Sequence, residues 1–141
     1  MSPFAIRPAT PRDARAILEL WRLAGAFPSR TDDEKSICSL IARDPHALLV
    51  AEDGEEVVGS LIAGFDGWRG TLFRLAVLPE RRRSGIGRAL VAAGERSLQE
   101  RGAARVSLYA IKTEVAAAAF WNAAGYEDDD YTRRLVKNLR S

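Results

Sequence analysis

The sequence predicts an α/β domain in three layers: a mixed, mostly antiparallel sheet covered by helices, in the order β-α-α-β-β-β-α-β-α-β. Three observations predict it. Two helical patterns stand near the start, three strands joined by tight turns follow, and a strand–helix–strand crossover comes after them. The 141 residues suit one domain, 1–141, and no linker, repeat or low-complexity segment divides them.

Taken in order, Phe4-Ala5-Ile6-Arg7 reads as a short strand stopped by Pro8. Thr10 reads as an N-cap, with Pro11 at the first helical position and Asp13 three residues after the cap. Ala14, Ile17, Leu18 and Trp21 then form a helical face. The loop from Gly25 to Arg30 has an apolar tip at Phe27. Thr31-Asp32-Asp33-Glu34 is a capping-box pattern, its helix carries Ile37, Leu40 and Ile41, and Asp44-Pro45 ends it. Ala47 to Ala51 reads as a buried strand, Asp53-Gly54 as a hairpin turn and Val57 to Phe65 as the return. A second turn, Asp66 to Gly70, leads to a third strand, Thr71 to Leu78. A helix from Ile86 ends at Gly102, a C′ glycine. Val106, Leu108 and Ala110 alternate as a strand, Thr113 caps a helix bearing Ala116, Ala119, Phe120 and Ala123, Gly125 stops it, and a last strand begins at Tyr126.

Composition excludes several functions. Hydrophobic residues at 47% and charged residues at 28% are ordinary globular values, and a net charge of +2 is too small to argue for nucleic acid or a membrane surface. One histidine, His46, and one cysteine, Cys38, make neither a disulfide nor a convincing metal site. No apolar run reaches membrane-span length and no signal-peptide pattern opens the chain, so a cytoplasmic enzyme or binding domain, monomer or homodimer, is expected. A nucleic-acid role would rest on Arg81, Arg82 and Arg83 alone, without interleaved aromatic residues.

The most informative stretch is LAVLPERRRSGIGRAL, Leu75 to Leu90. An apolar strand enters a basic loop with two glycines at the mouth of a helix. Such a corner is an anion site: first-turn N–H groups point outward, the helix dipole favours negative charge, and glycine admits a phosphate closely. The dinucleotide fingerprint lacks its third glycine and the Walker loop lacks its lysine. What remains is R-x-x-G-x-G at Arg82, Gly85 and Gly87. This resembles the coenzyme A pyrophosphate loop of the GCN5-related N-acetyltransferase (GNAT) superfamily. "IRPAT" with "DA" between Ile6 and Ala14, "VAEDGEEVVG" from Val50 and "FWNAAGY" from Phe120 resemble that family too. "GFDGWRG" from Gly64 is similar to a subgroup of small bacterial acetyltransferases.

The resemblance implies a GNAT fold with a splayed central strand pair, acetyl-CoA as co-substrate, an amine acceptor, no metal and no covalent enzyme intermediate. It implies pyrophosphate on the backbone of Arg83, Ser84, Gly85, Ile86, Gly87 and Arg88, with Arg82 in support and the Ser84 hydroxyl as a donor. It implies pantetheine along Leu75, Ala76 and Val77, where an N–H near Ala76 polarises the thioester carbonyl, with Glu114 where the family has an asparagine and Phe120 beside it. The family's strand glutamate is replaced by Arg74, which leaves Asp66 as the first candidate base and Glu52 behind it. Asp66-Gly67 equally fits ordinary turn chemistry. The family's acidic tyrosine is replaced by Trp121, whose indole is no general acid, so Tyr109 or Tyr126 is the substitute unless the thiolate leaves unaided. Phe27, Trp68 and Tyr131 are candidate walls of the acceptor pocket. The competing reading is a coenzyme A-binding module with weak or no catalysis.

Overall fold

The computed structural model describes residues 3–26, 28–110 and 115–139. The chain divides into two compact units, Met1–Ser107 and Leu108–Ser141.

The larger unit opens with β1 (Ala5–Pro8), a 3-10 turn (Pro11–Asp13) and α1 (Ala14–Leu23). Thr10 and Asp13 form the expected capping box, and the buried face of α1 is Ala14, Ile17, Leu20 and Trp21. Leu18 is only half-buried, so the apolar stripe is turned by one position from the expected one. α2 (Glu34–Arg43) is capped by Asp33, whose carboxylate accepts the Ser36 N–H at 2.6 Å, rather than by Thr31. That releases Asp32 for another partner.

β2 (Leu48–Asp53) and β3 (Glu56–Phe65) form the hairpin that Asp53-Gly54 announces, with Gly54 at φ +65°. β4 (Gly70–Val77) pairs antiparallel with β3, and β1 with β2. A 3-10 turn (Pro79–Arg81) leads into α3 (Ile86–Glu100), after which β5 (Val106–Leu108) completes the order β1-β2-β3-β4-β5. The Gly70 N–H bonds the Arg105 carbonyl at 2.9 Å, beside the start of β4.

The core lies between the sheet and the helices α1 and α3. Ile17, Leu48, Val50, Val58, Leu61, Ile86, Leu90 and Leu98 are fully buried, each such side chain stabilising the fold by about 1.5–3 kcal/mol. α3 sits close against the sheet because glycines face it. A Cβ on Gly59 would meet Ile86 Cγ2 at 2.8 Å, one on Gly70 would meet Leu98 Cδ1 at 2.7 Å, and one on Gly94 would meet Leu61 Cδ2 at 2.8 Å. Arg101, just past α3, ties the layers together by bonding Asp44 at 2.8 Å and the Ala63 carbonyl at 2.9 Å.

In the smaller unit α4 spans Val115–Ala123 and ends at Gly125, φ +95°. The expected last strand is not formed among the described residues. From Tyr126 the chain runs in turns and irregular conformation. The reason is local. Asp129 accepts the Tyr131 N–H at 2.9 Å and the Thr132 hydroxyl at 3.2 Å, and such side-chain bonds offer the backbone a turn in place of a ladder. No described helix is long and apolar enough to cross a membrane.

Candidate active site

The loop that joins β4 to α3 has the geometry of an anion cradle. Arg83 (φ +64°) and Gly85 (φ +86°) both lie in the left-handed region, and Gly85 is the N-cap of α3. The helix begins with the Ala89 N–H bonded to the Gly85 carbonyl at 3.0 Å. The amides of Ile86, Gly87 and Arg88 precede that bond and have no intrahelical acceptor. Left-handed residues next to a helix N-terminus are the setting in which N–H groups gather into a region of partial positive charge. A Cβ built on Gly85 meets nothing within 4 Å, so the space in front of the loop is open.

The arginines of this loop differ in use. Arg81 turns inward to Asp53 at 2.8 Å, and its Nη2 is buried without a partner. Arg82 donates to the Ala24 carbonyl at 3.1 Å, tying the loop to the end of α1. Arg83 and Arg88 are exposed, and their guanidinium groups have no partner among the described residues. The Ser84 hydroxyl donates to the Arg81 carbonyl. It stabilises the turn and is already committed as a donor, which departs from its expected role on phosphate.

β4 is interrupted before it reaches this loop. Ser60 pairs with Ala76 and Ile62 with Phe73, so two steps along β3 match three along β4. The extra residue is a β-bulge, and Arg74 sits in it at φ +54°. A buried chain of hydrogen bonds holds it: Trp21 Nε1 donates to Ser60 Oγ at 2.9 Å, and Ser60 donates to the Arg74 carbonyl at 2.9 Å. The Arg74 side chain lies over the Trp21 ring, 5.2 Å from its centroid, and bonds Asp32 at 2.9 and 2.8 Å. Both ends of the loop between α1 and α2 are thus attached to β4 and to the loop beyond it. Sequence reading noted Arg74 only as the absence of a glutamate. The signal for more was a lone charge within the apolar run Leu72 to Leu78.

The candidate bases are engaged elsewhere. Asp66 is exposed, and its Oδ1 accepts the Trp68 and Arg69 N–H groups, each at 2.8 Å. Those amides, Arg69 first, hold its carboxyl below the usual range. Glu52 is gripped by Arg7 at 3.2 and 2.7 Å, and this hydrogen bonding lowers its pKa too. Both are therefore weak proton acceptors. Trp68 is 70% exposed beneath Arg69, 4.1 Å from its ring centroid.

Within the smaller unit Trp121 packs edge-on between Phe120, at 5.0 Å, and Tyr126, at 5.3 Å. Tyr109 is largely exposed, with Arg134 at 5.2 Å from its ring centroid, and Tyr131 is fully exposed. Phe27, Thr113 and Glu114 lie outside the described residues.

Comparison with known proteins bears on this arrangement. Solved structures share the fold: an N-acetyltransferase of Thermoplasma acidophilum in complex with coenzyme A matches with TM-score 0.81 and 16% identity, covering 92% of this chain and 93% of that one. The ribosomal-protein-S18-alanine N-acetyltransferase of Escherichia coli matches with TM-score 0.76 and 25% identity over 90% of this chain and 79% of that one. An acetyltransferase of Sodalis glossinidius is 33% identical over 127 residues, 90% of this chain and 89% of the relative. One of Photorhabdus laumondii is 34% identical over 129 residues, 88% of this chain and 90% of the relative. The model of the acetyltransferase (GNAT) family matches residues 14–126, a span that holds the bulge, the left-handed loop and the aromatic helix alike, and the chain belongs to that family.

Proposed function

We propose that residues 1–141 act as one catalytic domain that transfers the acetyl group of acetyl-CoA directly to a primary amine, on a small molecule or a peptide N-terminus. The observation that carries the reading is the loop from Arg82 to Arg88, whose left-handed residues aim the first-turn amides of α3 into open space. These groups fit a pyrophosphate: fixed N–H donors, a helix dipole and two unpaired guanidinium groups, with no acid among Arg81 to Arg88. A fold shared with an N-acetyltransferase solved with coenzyme A supports the donor.

When bound, acetyl-CoA supplies an activated thioester, whose C–S bond breaks as the amine nitrogen forms the new N–C bond, and coenzyme A leaves as its thiolate. In this proposal the backbone from Leu75 to Val77, just beyond the bulge, offers an N–H to the carbonyl oxygen as it gains charge. Arg83 and Arg88 hold phosphate, and Arg82 exchanges the Ala24 carbonyl for it. Asp66 and Glu52 are too weakly basic to take the amine's proton, so the acceptor reacts as the neutral amine and the proton passes to water. An α-amine is neutral in roughly one molecule in ten at pH 7, against roughly one in 2,500 for a lysine side chain, so amines of low pKa are favoured. Trp121 packs rather than protonates, since an indole N–H is not acidic at ordinary pH.

Gly85→Val tests the loop. The branched side chain fills the open space and strains a left-handed residue. Calorimetry is expected to show coenzyme A affinity falling at least tenfold, about 1.4 kcal/mol, with the circular dichroism unchanged. Wild-type affinity in the folded variant would remove the phosphate assignment. Thiol release with an amine panel tests the chemistry, and binding without turnover would favour the non-catalytic module.

A further inference from the structure

Arg74 is held in a conformation that most side chains avoid. Among the described residues only Arg74 and Arg83 have a positive φ without being glycine, and both stand along the proposed coenzyme path. A residue kept in the left-handed region, where glycine or asparagine would relieve the strain, indicates a needed side chain.

What this side chain offers is an incompletely used fork. Both of its bonds to Asp32 come from Nη2, while Nε and Nη1 have no protein partner among the described residues. Asp32 is itself oriented by the Ser29 N–H at 3.0 Å. The guanidinium is half-buried, its side chain 21% exposed, and it lies over Trp21, so its position is fixed. A guanidinium can hold two carboxylates at once, as Arg7 does with Glu52 on Nε and Nη2 and Asp13 on Nη1 and Nη2, so Arg74 can take a second one beside Asp32. The same charge stands beside the bulge where the thioester is proposed to react, and it repels polycations.

We propose that Arg74 binds a carboxylate on the acceptor, so that the substrate is a small amine carrying its own carboxylate, of the amino-acid class. The proposal rests on the acetyl-transfer reading above. The acid bonds Nε or Nη1 beside Asp32, which keeps the guanidinium oriented, and the amine of the same molecule is left to face the thioester. Arg74 also supports the bulge, so a purely structural role must be separated from recognition.

The experiment measures kcat/KM by thiol release from acetyl-CoA for a series of amino acids, from α to longer ω types, each beside its own methylamide, with spermidine and a peptide N-terminus as further acceptors. The wild-type protein is expected to prefer at least one acid over its methylamide by tenfold or more. Arg74→Gln is expected to bring that ratio near one, mainly through the acceptor KM, and Arg74→Lys to restore part of it. Coenzyme A affinity, measured by calorimetry, is expected to be unchanged in both variants. A wild-type ratio near one for every pair, a preference for spermidine or the peptide, or an equal loss on acid and amide in Arg74→Gln would overturn the proposal. If both variants fail to fold, the wild-type ratio alone decides. Failure of the wild-type protein to bind coenzyme A would overturn the acetyl-transfer reading, whereas binding with turnover only on amides or polyamines would overturn the carboxylate proposal alone. Binding without turnover on any acceptor would overturn both.

Discussion

Asp66 shows how hydrogen bonds decide what a carboxylate can do. Two amides on one oxygen stabilise its charged form, and a base whose charged form is stabilised has less tendency to take a proton. Asparagine makes the same side-chain turn. Asp66→Asn is therefore expected to keep most of the kcat, far from the roughly 100-fold loss that follows removal of a general base. In both proteins kcat/KM is expected to rise with pH through the acceptor amine's own pKa. A loss of about 100-fold at neutral pH in the variant, shrinking as pH rises, would return Asp66 to catalysis.

At the scale of elements, the bulge in β4 depends on Ser60, which pairs with Ala76 and bonds the Arg74 carbonyl. Ser60→Ala removes the acceptor of Trp21 Nε1 and the donor to the Arg74 carbonyl, both in the core. Leaving such groups unpaired costs about 1–3 kcal/mol. Urea unfolding is expected to show that loss, and kinetics a fall in kcat larger than the rise in coenzyme KM, because the Arg82–Arg88 loop is untouched. Unchanged kcat in the folded variant would detach the bulge from the reaction. The same contrast explains what was legible beforehand. The hairpin at Asp53-Gly54 and the left-handed Gly85 are encoded by neighbouring residues, whose turn chemistry is readable in place. The bulge arises from Trp21, Asp32, Ser60 and Arg74, which are brought together only by folding, and no local pattern announces such a meeting. Asp33 rather than Thr31 caps α2 because neighbouring capping residues compete for the same amides, and Asp32 pairs with Arg74. Likewise, the turn around Asp129 stands where a last strand from Tyr126 was expected.

Across the larger unit, Arg7 joins β1 to the turn before α1 and to β2 by bonding Asp13 at 2.8 Å and Glu52 at 2.7 Å. Chiefly through Arg7, the Asp13 carboxyl is lowered from 3.8 to about 2. A depressed carboxyl stabilises the fold above its unfolded pKa, and that contribution is lost as pH falls through the folded value. The pair is thus expected to contribute on the order of 2 kcal/mol at neutral pH and progressively less between about pH 4 and pH 2. Urea midpoints for wild type and Asp13→Asn should differ at pH 7 and converge near pH 2. A gap that persists at pH 2 would assign the effect to packing instead. The close seat of α3 on the sheet has a consequence for the accessible sequence space. Gly59, Gly70 and Gly94 are crowded, whereas Gly85 has open space and a φ of +86°, and in the proposed acetyl-transfer reading it is also where the phosphate approaches. A saturation library sorted only for folded protein should purge all but the smallest alternatives at 59, 70 and 94 while leaving asparagine and its like at 85. The same library sorted for acetyl transfer should purge 85 as well, so that two selections on one population separate the glycines that build the molecule from the one that its ligand requires.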